Sequence, residues 1–386
     1  GADVQSVPIA ITALSQEQRT STQTAGGPDL VKQVPNLTFS KTNFTGYNIQ
    51  IRGIGTQAIS VATDPAVAVA FNDIPFLRNH FFEQEFFDVG QVEVLRGPQG
   101  TLYGRNATAG VVNLISAKPS DQFEAMASVD VGNYRGRRIE GMINVPVVDD
   151  RLDLRVAGEL TKRDGYSFND VTNEPIDGRD LWSTRVTLGF KPIERLQTYL
   201  IWEHFTEGDD RLRSSKQLCE RDPGPSSIAT VAGGTVTNID SAGDGWLSQG
   251  CLPGSLYSSA SYQTVNGGAL PFVVGLQYVA NGYAPGGGAI ERGDPYASAT
   301  QSRNLRVIES ALTPTYKASN DVVEFNADFA VTPELTFTSQ TGYNHDRIAS
   351  TEDFNRFTTA PGIFSANTVP PPPAANPFFA PPTPNG

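Results

Sequence analysis

Across residues 123–206 and 320–350, apolar and polar side chains alternate with little interruption. Phe123, Ala125, Ala127, Val129 and Val131 share one face, and Glu124, Met126, Ser128 and Asp130 share the other. Ile139, Ile143, Val145 and Val147 stand opposite Arg138, Glu140 and Asn144, and Leu152, Leu154, Val156 and Leu160 stand opposite Asp153, Arg155, Glu159 and Thr161. Trp182, Val186, Leu188 and Phe190 face away from Ser183, Arg185, Thr187 and Lys191, as Val323, Phe325, Ala327 and Phe329 do from Glu324, Asn326 and Asp328. A period of two is that of a strand with one apolar and one polar wall. The pattern predicts seven strands, at about 123–132, 136–147, 151–163, 181–191, 195–206, 320–331 and 335–349. The fifth is the least regular, because Tyr199 and Ile201 share a face with Gln197 and Glu203.

The connections carry a second signal. Short turns at Val148–Asp150, Pro192–Glu194 and Thr332–Glu334 take turns with long irregular stretches at about 164–180 and 207–319. Tight turns on one side and long loops on the other are the rhythm of a bacterial outer-membrane barrel. Strands of about ten residues suit a tilted crossing of the bilayer. A soluble antiparallel sandwich alternates too, but predicts neither this asymmetry nor Arg138, Glu140, Arg155, Glu159 and Arg185 in register on the polar faces. Seven strands cannot close a bacterial barrel, which needs an even number and no open edge. The chain is therefore expected to be the N-terminal part of something longer. Its last stretch, about 361–386, runs through Pro370-Pro371-Pro372-Pro373 to Pro384 and is expected to be an extended loop or tail.

Composition narrows the function. With 29 Lys and Arg against 41 Asp and Glu, a net charge of −12 disfavours nucleic acid as a partner. The 37 Gly and 27 Pro exclude a long coiled coil, and no apolar run reaches the length of a membrane helix. No N-terminal stretch has the charged and apolar regions of a signal peptide, so a mature or trimmed chain is expected. His80, His204 and His345 have no partner at ligand spacing, so no metal site, cofactor or Ser-His-Asp site is expected. The Gly97 to Arg105 stretch lacks the Gly-Lys-Ser/Thr ending of a phosphate loop. Three Asn-X-Thr triplets, at Asn36, Asn43 and Asn106, match the glycosylation pattern no better than chance. The sequence reads as a non-enzyme.

Residues 1–120 hold the most specific text: Val34-Pro35-Asn36-Leu37, Ile49-Gln50-Ile51-Arg52-Gly53-Ile54-Gly55, Asp64-Pro65-Ala66-Val67 and Asn72-Asp73-Ile74-Pro75, then Val92-Glu93-Val94-Leu95-Arg96-Gly97-Pro98-Gln99-Gly100-Thr101-Leu102-Tyr103-Gly104-Arg105-Asn106-Ala107-Thr108-Ala109-Gly110. From Val7 to Pro119 this resembles the plug domain of a TonB-dependent outer-membrane receptor. Asp130-Val131-Gly132-Asn133-Tyr134, Arg163-Asp164-Gly165-Tyr166 and Thr341-Gly342-Tyr343 resemble that family's barrel strands. The resemblance implies a mainly β protein: a small α+β plug at 1–120 inside an antiparallel transmembrane barrel, whose N-terminal part is 121–386. About 22 strands are expected in the whole barrel. Gly90-Gln91 departs from the family, where an acidic residue followed by Arg is expected. The chain also shows no recognisable energy-coupling box, the segment through which TonB recruits such receptors by strand addition.

The plug residues admit a physical reading. Asn72-Asp73 between β-rich runs predicts a two-residue hairpin turn, since both residues tolerate left-handed φ. Arg52, Arg96 and Arg105 are flanked by apolar residues, and a buried guanidinium needs a partner. They are expected to dock the plug on wall carboxylates such as Glu140 and Glu159, with Glu93 also at the docking edge. The resemblance implies that the plug loops after Arg52 and around Phe76–Phe87 help bind the ligand. Contacts are expected at Arg52, Gln57, Arg78, Asn79, His80, Phe81 and Phe82, a mix of aromatic and polar groups that suits such a site, while Phe86 and Phe87 suit a core as well. Cys219 and Cys251 lie in one long loop; an extracellular setting favours a disulfide over two free thiols.

The function implied is TonB-dependent import of a scarce nutrient across the bacterial outer membrane, with a ferric siderophore first and cobalamin or oligosaccharide as competitors. Its partners would be TonB with the inner-membrane proton-driven complex, the nutrient ligand and outer-membrane lipid. The rival reading is an outer-membrane structural or assembly component with a receptor-like barrel.

Overall fold

The structure is a computed structural model. It describes residues 10–41, 47–57, 63–212, 215–225, 227–232, 235–240, 248–268, 294–353 and 356–359. The chain forms two compact units. One holds Gly1–Tyr166, Pro175–Ser214 and Pro314–Glu352; the other holds Ser167–Glu174, Ser215–Thr313 and Asp353–Gly386. The division expected at residue 120 is one of sheets, and both sides of it fall in the first unit.

Seven strands in the first unit come after a smaller N-terminal domain with seven principal strands of its own. That domain contributes β1 (Ala10–Ser15), β2 (Leu37–Lys41), β3 (Tyr47–Ile51), β4 (Val67–Phe71), β5 (Ile74–Pro75), β6 (Val89–Arg96) and β7 (Gly110–Ser116). The wall that follows is β8 (Glu124–Gly132), β9 (Gly136–Val148), β10 (Leu152–Arg163), β11 (Arg179–Ile193), β12 (Leu196–Asp209), β13 (Thr315–Thr332) and β14 (Leu335–Thr351). These are the seven strands the alternation predicts; β13 starts five residues before the expected Asn320, because Tyr316 and Ala318 continue the inner face.

The wall is an antiparallel meander in which each strand pairs with its neighbour in sequence. Its register aligns Ile139 with Leu160, Leu160 with Trp182, Val186 with Trp202, Trp202 with Val323 and Val323 with Tyr343, all on one face. That apolar face is open: Val131 is 83% exposed and Tyr343 60%. Along the middle strands β9–β13 the opposite face is largely buried and carries Glu140, Asn144, Arg155, Glu159, Arg185, Glu203 and Glu324. Burial is inverted relative to a water-soluble sheet, as in a barrel with lipid outside and a filled lumen. A sandwich would bury the apolar face instead. The irregular fifth strand is explained as well. Leu200 and Trp202 face outward, while Ile201 and Phe205 share the inner face with Glu203 because Ile201 joins the core of the N-terminal domain.

The N-terminal domain is built on a sheet of order β1-β6-β7-β4-β5, with β4 and β7 parallel and β6 antiparallel to both β1 and β7. Every residue of β4 is buried, which is why its Val-Ala-Val-Ala-Phe run lacks alternation. Asn72 and Asp73 turn β4 into β5 with φ of 47° and 70°, and Phe71 pairs with Ile74 across them. Both left-handed values are those of a type I′ turn, as the dipeptide predicts. At Gly110, φ is 159° and a Cβ would stand 2.4 Å from the Leu95 carbonyl oxygen, so the Arg96–Gly110 block must end on glycine.

The second unit contains the Cys219–Cys251 disulfide, beside which Glu220–Arg221 pair with Cys251–Leu252. Tyr296 and Phe357 pack against Cys219, Arg221 is ion-paired with Asp294, and Lys216 donates to the Ser302 carbonyl at 2.6 Å. The proline-rich stretch 361–386 lies outside the described residues.

Candidate functional site at the domain and wall interface

The wall holds the N-terminal domain mainly through one segment, Glu83–Asp88. The segment is pinned from within by buried Phe82, Phe86 and Phe87, and its last residue adopts φ of 45° before entering β6. Arg155 of β10 grips the Asp88 carboxylate with Nη2 at 2.6 Å and Nε at 2.9 Å. Arg185 of β11 lies between the rings of Phe71 and Phe87, at 5.1 and 4.6 Å. It donates to the carbonyls of Phe87 and Asp88 at 3.2 and 2.9 Å, and its Nε meets Glu203 at 2.6 Å. Arg138 of β9 donates to the Phe86 carbonyl at 2.9 Å and to Glu159 at 3.0 Å, and forms ion pairs with Glu85 and Glu140 at 3.1 and 3.3 Å. Thr161 donates to Glu85 at 2.7 Å. A second attachment is the hairpin turn, where Asn72 donates to Glu324 of β13 at 2.8 Å while its own oxygen accepts from Ser116. Charge-assisted, partly bidentate bonds of this kind give orientation as well as energy.

Nearer the loop end of the wall, the charges condense further. Glu83 is ion-paired with Lys41 and, at 2.9 Å, with Arg211. Arg211 also meets Glu207 at 3.0 Å and lies 3.7 Å from the Tyr316 ring centroid. Arg179 reaches Glu207 at 3.0 Å and Glu85 at 3.7 Å. Burial alone would raise the Glu83 pKa; Arg211 and Lys41 outweigh it and hold the carboxyl below the usual range. Burial, followed by the Glu83 charge, keeps the Tyr47 hydroxyl well above its ordinary value. A cavity of about 240 Å³ opens beside this cluster, lined by Lys41, Arg163, Arg179 and Arg211 and by the carboxylates Glu85 and Asp177. An anion could be received there, but only in competition with carboxylates already paired to the same cations.

The docking expectation is corrected in its sign. Arg52 and Arg105 are exposed, Arg96 is half-buried at the end of β6, and none forms an ion pair with a wall carboxylate among the described residues. The domain instead supplies carboxylates and carbonyls, and the wall supplies guanidinium groups. Glu93 stays within its domain, accepting from Gln91 at 2.8 Å and Asn113 at 3.3 Å. Glu140 and Glu159 do stand at the interface, reaching the N-terminal domain through Arg138. Two expected ligand contacts are core instead. Asn79 is buried and donates to the Tyr47 carbonyl at 2.8 Å, and Phe82 is fully buried against Phe39, with ring centroids 5.2 Å apart. Arg78 is half-exposed, pairs with Asp64 at 3.2 Å and lines a cleft with Glu83 and Arg211. Arg52 and Gln57 are exposed, and the side chains of His80 and Phe81 lie outside the described ones. The sequence reading missed Glu83, Glu85 and Asp88. Their signal was available as acids bracketing the Phe86-Phe87 pair.

Comparison with known proteins fits this arrangement. Residues 3–111 match the family model of the TonB-dependent receptor plug domain. The chain is 26% identical over 184 residues to the pesticin receptor of Yersinia pestis, covering 47% of this chain and 26% of that protein. It is 30% identical over 170 residues to the iron-regulated outer membrane virulence protein of Vibrio cholerae, covering 42% of this chain and 26% of that protein. The aligned region thus spans about a quarter of either relative. Among solved structures, the ferric yersiniabactin uptake receptor of Yersinia pestis superposes with a TM-score of 0.59 at 17% identity, over 89% of this chain and 41% of that one.

Proposed function

We propose that this chain, whose residues 3–111 match the plug of TonB-dependent receptors, forms the plug and first barrel strands of an outer-membrane importer of a ferric siderophore. The observation that carries this reading is the grip of wall arginines on the Glu83–Asp88 segment, which seats an ordered domain against the inner face of a lipid-facing wall. Such a domain blocks passive flow, so passage requires that its hold be loosened. TonB and its proton-driven inner-membrane complex would supply the force. One of the two relatives is described as an iron-regulated outer membrane virulence protein, which supports iron over other nutrients.

The charge cluster gives the reading a mechanism. Siderophore complexes present oxygen-rich, frequently anionic surfaces, and the cavity offers Lys41, Arg163, Arg179 and Arg211. At rest Lys41, Arg179 and Arg211 are shared with Glu83, Glu85 and Glu207. A bound anion competes for them, and each guanidinium drawn away from Glu83 or Glu85 weakens the hold on the plug. Arg78, in the cleft beside Arg211, is the expected contact residue best placed to take part. The cargo passes unchanged, and no chemical step is needed.

The test is uptake of radiolabelled ferric siderophore by cells grown without other iron. Deletion of the gene, or of TonB, should abolish uptake, and Arg179→Gln with Arg211→Gln in the full-length receptor should raise the half-saturating concentration. Uptake that persists without TonB would overturn active transport. Unchanged iron uptake in the deletion strain, with loss of cobalamin or oligosaccharide uptake, would reassign the cargo. Loss of none of them would favour a scaffold.

A further inference from the structure

The outward face of the wall carries a feature that neither the lumen nor the cargo uses. Its rows follow from the strand pairing. Leu154, Leu188, Leu200 and Phe325 form one apolar row, and Val186, Trp202, Val323 and Tyr343 form the next toward the long loops. Above them stand Thr184, His204, Asp321 and His345, and then Ile139, Leu160, Trp182, Thr206, Ser319 and Arg347. Arg137, Lys162 and Asp180 begin the row after that, and Lys317 is the next outward residue beyond Ser319.

The edge of the apolar region is therefore a staircase. The lowest outward residues able to carry charge are Arg137 and Lys162 on β9 and β10, and Asp321 and His345 on β13 and β14, two rows lower. Two rows are four residues, about 13 Å at about 3.3 Å per residue, and four interstrand steps of about 4.8 Å separate β10 from β14. The slope is about 35°, which matches the tilt of strands in an outer-membrane barrel. The staircase is thus one level line around the wall: the boundary between hydrocarbon and headgroups on the loop side. Aromatic residues mark it as expected, with Trp182 and Trp202 flanking His204 at centroid distances of 5.0 and 6.2 Å.

What stands on that line is basic. Arg137, Lys162, Lys317 and Arg347 are exposed, and His204 and His345 lie beside them, against two acids, Asp180 and Asp321. The whole chain has the opposite balance, a net charge of −12. Contacts preorganise the strip: Lys162 meets Asp180 at 2.6 Å, His204 meets Asp321 at 2.8 Å, and Arg347 Nε lies 3.0 Å from His345 Nε2. We propose that this strip binds the phosphate-bearing headgroup of a membrane lipid in the leaflet on the long-loop side. The charge is complementary to phosphate, long basic side chains at an interface reach naturally toward headgroups, and the apolar rows below accept acyl chains. Free phosphate would gain nothing from those rows. The inference rests on the outer-membrane barrel and is independent of the cargo.

The test uses the full-length receptor in detergent, incubated with lipid A or with lipid A stripped of its phosphates, and reads retained lipid by native mass spectrometry. At physiological ionic strength the phosphorylated form should be retained about tenfold better, and added salt should erode the difference. Arg347→Gln with Lys317→Gln and His345→Gln should reduce retention of the phosphorylated form at least fivefold and leave the dephosphorylated form unchanged. Equal retention of both lipids by the wild-type protein would overturn the proposal whether or not the variant folds. So would a folded variant that retains phosphorylated lipid as the wild type does. Uptake is not read here, so failure of the cargo assignment leaves this result intact.

Discussion

Asp88→Asn isolates the strongest bond between plug and wall. The side chains of Arg155 and Asp88 are 9% and 7% exposed and joined by two bonds of 2.6 and 2.9 Å. Asn keeps the shape and tolerates the left-handed φ of 45°, so the change removes charge without demanding a new backbone. Stripping one partner from a buried pair costs about 3–5 kcal/mol. Here Arg155 retains Glu124 at 3.2 Å, a half-exposed partner, so the lower end, about 3 kcal/mol, is expected. At 1.4 kcal/mol per tenfold, that is roughly a hundredfold rise in local opening. Amide hydrogen exchange on the full-length receptor should show it across residues 83–96, with no comparable change in β7. Arg96→Glu, Arg52→Gln and Arg105→Gln should leave the same peptides protected, because those arginines do not reach the wall. Protection at 83–96 within twofold of wild type would refute the assignment. So would an equal loss when Asp88→Asn is made on an Arg155→Met background, since the pair would then carry no coupling.

Three further outcomes follow from the same interface and from the second unit. Because Glu83 titrates below the ordinary carboxylate range, its pairing is complete above that range and is lost only as pH falls through the lower folded value. Exchange protection around Glu83 should stay level from pH 8 to about 5 and decline only below; a decline centred near pH 6 would contradict the pairing with Arg211 and Lys41. Burial, with Asp73 beside it, raises the pKa of Glu93, so its ionised form costs stability that the protonated form does not. Glu93→Gln should raise the melting temperature at pH 7 and leave it unchanged near pH 4, and a lower melting temperature at pH 7 would show that the charge is needed. Reducing the Cys219–Cys251 bond should remove about 3–4 kcal/mol of restraint on a loop of this length. Limited proteolysis with and without reductant reads the change, and cleavage equal in both would refute it.

The two halves of the molecule differ in how far their sequences can be read, for a physical reason. A wall between lipid and a filled lumen must alternate at every second residue, so all seven strands were visible as a period, including the faces that Arg138, Arg155 and Arg185 occupy. The period is most blurred in β12, because Ile201 is apolar on the inner side where it joins the plug core, and Phe205 packs there against Leu181 and Tyr316. The Asn72-Asp73 turn was legible too, since few residue pairs accept two consecutive left-handed φ values. The sign of the docking was not. An arginine between apolar neighbours, such as Arg52 or Arg96, looks buried in a string of letters; it can equally stand at a turn or strand end with its head group outward. Arg52, at φ of 55°, does so. Asp88 looks ordinary in sequence, yet it follows Phe86-Phe87, whose rings pin the chain in the core and leave the next residue aimed at the wall. Where two buried surfaces meet, the informative letter is thus the acid next to an aromatic anchor at a bend, because the anchor fixes where that charge must point.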